Sequence, residues 1–205
     1  MNRCVVCDKV IEENFVSLFA EECMVCHGCK VTFKVRNKRF VVNGVKGMIL
    51  YYYDDFFRGL LFRYKGCYDY VLKDVFLNDR VNELKRKYRG RAIVIAPSTK
   101  DSETKRGFCH LEEIFKSLDL QIIKCFEKKE GWKQSDKKWG DRKDVQNVIK
   151  IDKSLLNGVK KVLIVDDVLT SGSTIKTMIS QMPSYIDKKV LVLASNCRVL
   201  ANEIV

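Results

Sequence analysis

Apolar and polar positions alternate between two regimes along the chain. Short runs of continuous aliphatics, "RAIVIAPS", "QIIKCFEK", "KKVLIVDD" and "KKVLVLAS", are separated by stretches with helical periodicity, "HLEEIFKSL" and "STIKTMISQM". Strands apolar on both faces and separated by helices predict a parallel sheet buried on both sides, hence an α/β domain. Upstream, "MILYYY" reads as a further strand. "DDFFRGLLFRYKG" and "DYVLKDVFLNDRVNELKRKY" read as helices, and Phe56, Leu60, Leu61 and Tyr64 recur at the spacing of a buried helical stripe.

The first forty residues follow neither pattern and hold five of the nine cysteines. Cys4 and Cys7 form one C-x-x-C pair, and Cys23, Cys26 and Cys29 offer two overlapping ones. The separation from the first pair lies in the roughly 15–20 residues expected of a four-cysteine zinc site. Four thiolates satisfy the tetrahedral preference of Zn2+, and a complete ligand set is structural rather than catalytic. The preferred set is Cys4, Cys7, Cys26 and Cys29, with Cys23 as the alternative and His27 in reserve. Residues 1–40 are therefore expected to form a zinc module and residues 41–205 the α/β domain. Cys67, Cys109, Cys125 and Cys197 lack partner spacing and are expected as buried thiols.

With 205 residues, 46% hydrophobic and 31% charged, the chain reads as globular. No apolar run reaches the ~20 residues of a membrane helix, so no membrane insertion is expected. Nine cysteines with metal-like spacing point to the cytoplasm. The net charge of +12 suits a polyanionic partner.

The chemistry concentrates at "VLIVDDVLTSGST". Asp166 and Asp167 close an apolar strand, and in an open parallel sheet ligands bind beyond the carboxyl ends of strands. Thr170, Ser171, Gly172, Ser173 and Thr174 lead into a helix expected to begin near Ile175, with Ser173 or Thr174 as an ordinary cap in the bland case. Free N–H groups and the dipole at a helix start favour an anion, and Gly172 permits close approach. Carboxylates beside a phosphate need other partners, and sugar hydroxyls or Mg2+ qualify. The combination describes a site for a ribose 5-phosphate.

This segment resembles the phosphoribosyl pyrophosphate (PRPP) motif of type I phosphoribosyltransferases, a Rossmann-like fold. With the cysteine knuckles before it, the chain is similar to the ComF family (ComFC/GntX-like), which joins a zinc module to such a domain and is linked to DNA uptake in natural transformation. "RGLLFRYKG" is similar to the family's basic-aromatic helix, with Arg63 in its Lys/Arg position. "IAPSTKDSETKRGF" resembles its proline-containing loop, with Pro97 and Ser98 lining a pyrophosphate pocket and Arg106 as the first choice of phosphate clamp. Lys100 and Lys105 read as surface charges. Gln134 and Arg142 keep the family's spacing in a polar stretch with Trp132 and Trp139. Four positions depart from the pattern: Ser102, Cys109, His110 and Val145. His110 is expected in a surface or capping role. The resemblance implies structural Zn2+, Mg2+ accompanying PRPP, and a phosphoribosyltransferase with an unspecified acceptor. The alternative is a non-enzymatic factor handling single-stranded DNA, with a DNA-uptake helicase as partner.

Overall fold

A computed structural model describes residues 2–11, 25–128 and 148–196. A short helix α1 (His27–Thr32) precedes a hairpin of β1 (Val35–Val42) and β2 (Val45–Tyr52). Helix α2 (Asp55–Gly66) follows, then 3-10 turns at Tyr70–Val75 and Asn78–Arg80, and α3 (Val81–Tyr88). Strand β3 (Ala92–Ile95) leads through α4 (Lys100–Arg106) and α5 (His110–Phe115) to β4 (Ile122–Ile123). A small antiparallel pair, β5 (Phe126–Lys128) and β6 (Ile149–Ile151), precedes β7 (Lys161–Leu169), α6 (Ser173–Gln181) and β8 (Asp187–Ser195).

Six strands form one sheet in the order β1-β2-β8-β7-β3-β4, with every neighbouring pair parallel except β1 and β2. The expected parallel α/β sheet is present, extended at one edge by the antiparallel β1. That strand escaped the sequence pattern because only Phe40 and Val42 are buried in "VRNKRFVV". Lys and Arg along an exposed edge also discourage pairing with a second chain. Phe40 lies opposite Gly47 in register, and a Cβ built on Gly47 would come within 2.4 Å of the Phe40 ring. The ring occupies the space that the missing side chain leaves.

Strands β3, β7 and β8 are buried along nearly their whole length, as continuous aliphatic runs require. Helix α2 starts at Asp54, whose carboxylate accepts the Phe57 N–H at 3.0 Å. Its buried stripe is Phe57, Leu60, Leu61 and Tyr64, so Phe57 replaces Phe56 in the expected set. "QIIKCFEK" is not one strand: Lys124 and Cys125 interrupt it, and β4 and β5 go to different sheets. The stretch from Asp69 to Tyr88 is two 3-10 turns and a helix rather than continuous helix. At the opposite end of the sheet from the acidic pair, the buried Arg91 guanidinium donates to the carbonyls of Val162 and Asp187, each at 3.2 Å, and to the Asp187 carboxylate at 2.6 Å. These bonds pin β3, β7 and β8 together. No helix among the described residues is long and apolar enough to cross a membrane.

Candidate functional site

Strand order reverses between β3 and β7. From β3 the chain moves to β4 on one side, and from β7 it moves to β8 on the other. Such a reversal opens a crevice at the carboxyl ends of the two strands. Ala96 still donates to the Val165 carbonyl at 2.9 Å, so Pro97 and Ser98 leave β3 beside the point where Asp166 and Asp167 stand. The expected loop and the expected acidic pair therefore border one crevice.

Strand β7 continues to Leu169, two residues past the acidic pair. Asp166 Oδ1 accepts the Asp167 N–H at 2.9 Å, and Asp167 Oδ1 accepts the Val168 N–H at 2.7 Å. Beyond the strand, Thr170 and Ser171 are exposed and Gly172 is buried. Helix α6 begins at Ser173 rather than near Ile175, and its N-cap is Gly172 at φ 72°, not a Ser173 or Thr174 side chain. The left-handed conformation explains why glycine stands there. The Ser171 and Ser173 hydroxyls are hydrogen-bonded to each other at 2.7 Å across the helix start.

The Asp167 carboxylate is the hub of a network that sequence reading missed. Its Oδ2 accepts from Lys65 Nζ, at the end of α2, and lies 3.1 Å from His110 Nε2, at the start of α5. Arg106 Nη1 reaches His110 Nδ1 at 3.1 Å. An arginine only donates, so Nδ1 accepts and the Nε2–H is given to Asp167. Arg106 Nε also donates to the Lys65 carbonyl at 3.3 Å, and its guanidinium lies 5.8 Å from the centre of the Phe108 ring. The expectation of a surface role for His110 is corrected: the residue is 5% exposed. On α5, His110, Leu111, Ile114 and Phe115 are buried together, so its spacing from Ile114 was the available signal. Lys65 lies four residues after Leu61 on the buried stripe of α2, a comparable signal.

Burial alone would raise the Asp167 carboxyl, but the His110 hydrogen bond and the Lys65 ammonium outweigh it and hold it below the usual carboxylate range. Burial, reinforced by the Asp167 charge, pushes Asp166 up to about 8. Burial also lowers His110, with the Lys65 and Arg106 charges adding to it against the Asp167 hydrogen bond. At neutral pH the crevice thus holds one ionised and one protonated aspartate beside a neutral histidine.

Arg106 ends α4, a helix that the sequence reading took for a loop. Thr99 caps it by accepting the Ser102 N–H at 3.3 Å, and Gly107 stops it at φ 80°. The Ser102 hydroxyl is bound to Thr99 Oγ1 at 2.6 Å. Lys105 is exposed and paired with Asp101, and Lys100 is likewise exposed, as expected. The Ser98 hydroxyl is buried without a partner in the structure, beside a cavity of about 100 Å³ also lined by Pro97, Lys100 and Phe126. Cys109 and Cys125 are buried as expected, whereas Cys67 is exposed. Gln134, Arg142, Trp132, Trp139, Val145, Cys23 and Cys197 lie outside the described residues.

The second centre is cysteine-rich. The Sγ atoms of Cys4, Cys7, Cys26 and Cys29 all lie within 4.8 Å of one another, with Cys7 and Cys26 at 3.6 Å. Four thiolates placed ~2.3 Å from one zinc ion would stand about 3.8 Å apart, so the cluster fits a tetrahedral metal. Burial opposes ionisation of Cys4, yet the backbone N–H groups of Cys26, Cys7 and Val6 hold its thiol down at about 6. Burial and the neighbouring thiols push Cys29 well above the ordinary range. The four preferred cysteines can therefore hold a structural zinc ion.

Comparison with known proteins now adds to this geometry. No family model matches the chain. The competence protein ComFC of Streptococcus pneumoniae (strain ATCC BAA-255 / R6) is 27% identical over 175 residues, which is 84% of this chain and 77% of that protein. The chain is ComFC-like. The ComFC likeness agrees with the family resemblance read from the cysteine pairs and the acidic loop. Among solved structures, a hypoxanthine phosphoribosyltransferase from Staphylococcus aureus aligns at 16% identity with a TM-score of 0.39, over 64% of this chain and 68% of that one. An adenine phosphoribosyltransferase from Saccharomyces cerevisiae aligns at 12% identity with a TM-score of 0.39, over 84% and 88% of the two chains.

Proposed function

We propose that the crevice between β3 and β7 binds PRPP or a closely related ribose 5-phosphate. The observation that carries this reading is the acidic pair at the carboxyl end of β7, continuous with a hydroxyl-rich turn into α6, at the reversal of strand order. Sugar hydroxyls donate to the Asp167 carboxylate and hydrogen-bond with the protonated Asp166 carboxyl. The 5-phosphate sits at the turn from Thr170 to Thr174, taking N–H groups that the first turn of α6 leaves unpaired. Pro97, Ser98 and Arg106 face the pyrophosphate side; the family pattern adds Gln134 and Arg142, which lie outside the described residues. Mg2+, when bound, neutralises pyrophosphate charge and lowers the cost of its departure. Transfer of the ribosyl group to an acceptor is the corresponding activity of the fold family. No residue here is assigned as its general base.

Calorimetry with PRPP and Mg2+ tests the reading. The wild type is expected to bind, and the Asp166→Asn, Asp167→Asn double variant to bind about 10- to 100-fold more weakly, the effect of losing the charged acceptor at 167 and the carboxyl at 166. Absent binding in the wild type, or equal binding in both, sinks it.

The cellular role proposed is DNA uptake from the cytoplasm, on the strength of the ComFC likeness. A second reading, contact with single-stranded DNA, is favoured by a local concentration of cations. Lys87 is depressed by burial; Glu83 opposes this, and the nearby charges of Arg39, Arg80 and Lys189 add to it. Affinity for a polythymidine oligonucleotide should fall steeply as salt rises. An Arg39→Gln, Lys189→Gln variant should lower the log–log slope by roughly 1.4 if both contact phosphates. Salt-independent or absent binding rejects this second reading. A DNA-uptake helicase as partner belongs to the same reading.

A further inference from the structure

Arg63 sits two residues before Lys65 on α2, and the two side chains serve different centres. Its guanidinium donates to the Val6 carbonyl at 2.7 Å, to the Val5 carbonyl at 3.3 Å and to Asp69 Oδ2 at 2.7 Å. Val5 and Val6 are the residues between the paired Cys4 and Cys7. The carbonyl of Val5 belongs to the same peptide group as the N–H of Val6, and the carbonyl of Val6 to that of Cys7. Cys4 Sγ itself accepts the Cys26 N–H of the second pair at 3.3 Å, so the two knuckles already meet at this ligand. Arg63 therefore grips, by their oxygens, two of the peptides that join Cys4 to Cys7. Its fork also fixes the angle of the knuckle, as groups behind a ligand orient it for the metal.

The same turn of α2 reaches the acidic strand. The Lys65 ammonium lies on Asp167, and the Lys65 carbonyl accepts Arg106. We propose that Arg63 is a positioning residue that holds the first cysteine knuckle in place for its metal and, through the last turn of α2, ties metal occupancy to the placement of Lys65 against Asp167. Metal binding holds the knuckle, the knuckle carbonyls hold Arg63, and the helix end then presents Lys65 at a fixed height on β7. By reciprocity, loosening Asp167 weakens metal retention by the same factor that metal loss weakens the crevice.

The experiment uses the full chain loaded with Zn2+. Transfer of zinc to a chromophoric chelator is followed for the wild type, Arg63→Met and Arg58→Met. Arg58 is exposed on the same helix and paired with Asp55, so its variant controls for charge and helix propensity. Arg63→Met is expected to lower zinc affinity about 10- to 100-fold, the usual scale for residues behind a metal ligand; Arg58→Met should match the wild type. Should Arg63→Met fail to fold, Arg63→Lys keeps the charge, loses the fork and should show the same direction. The second readout is the imidazole nitrogen spectrum of His110, which touches Asp167 and Arg106. Chelation should shift its signals in the wild type, and far less in Lys65→Met, where the link is cut. Zinc release within twofold of wild type in the Arg63 variants overturns the proposal, as does an equal His110 shift in Lys65→Met. Only the meaning of the crevice rests on the PRPP reading. If PRPP fails to bind while zinc release and His110 respond as stated, that reading falls and the coupling stands.

Discussion

Asparagine at position 166 is expected to stabilise the protein, and asparagine at 167 to destabilise it, although the two side chains are adjacent and the substitution is the same. Asp166 is raised to about 8, first by burial and then by the Asp167 charge, so the folded state holds its proton where the unfolded chain has released it. Folding takes up a proton between the ordinary carboxylate pKa near 4 and about 8, and stability at this site falls as pH rises through that window. Asparagine is neutral throughout and removes the penalty. A gain of about 2 kcal/mol at pH 8, roughly 4–8 °C in Tm, is expected, shrinking towards zero at pH 4. Asp167 has the opposite sign. The His110 hydrogen bond and the Lys65 ammonium overcome its burial and keep it ionised. Its contribution is present above the unfolded carboxylate pKa and is lost as pH falls through the lower folded value. Asp167→Asn leaves Lys65 without its anion and should cost about 1–3 kcal/mol at pH 7. Thermal melts of the two single variants from pH 4 to 8 check both signs; a parallel response at 166 and 167 would refute the assignment. The double variant is expected to melt near the wild type, so weaker PRPP binding by it would report on recognition rather than folding.

The cysteine centre carries the larger energy. Structural zinc in small four-ligand sites contributes about 10–16 kcal/mol of apparent binding free energy. Cys29→Ser removes the one buried thiol of the second pair and should leave the chain unable to retain one equivalent of zinc after dialysis against a weak chelator. Cys4, Val25 and Cys29 pack in the same apolar cluster as Leu60, Tyr64 and Phe76 of the main body. Loss of the metal is therefore expected to lower the melting temperature of the whole protein, not to release a separate tail. Cys67→Ser, at an exposed thiol, should change neither zinc content nor Tm. Metal analysis by atomic absorption with paired melts reads both outcomes. Full zinc retention by Cys29→Ser would contradict the ligand set.

The central strands, α2, α5 and α6 were legible because burial on both faces of a strand or along one stripe of a helix forces a simple period. Strand β1 was not, because an edge strand buries little and its charges mask the alternation. Helix α4 was missed because "KDSETKR" buries nothing. Its signals were punctuation, Thr99 before it and Gly107 after it. The acidic pair, the hydroxyl-rich turn and the cysteine pairs were legible as motifs, since each is local in sequence. The Lys65–Asp167–His110–Arg106 network was not, because its members come from four elements and meet only once the sheet is formed. Position 110, read as a departure from the family pattern, proved to be wired directly to Asp167.

The placement of the last strand has a consequence for how the protein is made. Strand β8 lies between β2 and β7, with Val190 paired to both Gly47 and Ile164. The hairpin of β1 and β2 leaves the ribosome long before its parallel neighbour exists, and β2 meanwhile presents an unpaired apolar edge. Pairing so distant in sequence is slow to form and open to aggregation while it waits. A nascent chain stalled ahead of residue 187 would have the metal module and the acidic loop complete, yet no strand to join its two halves.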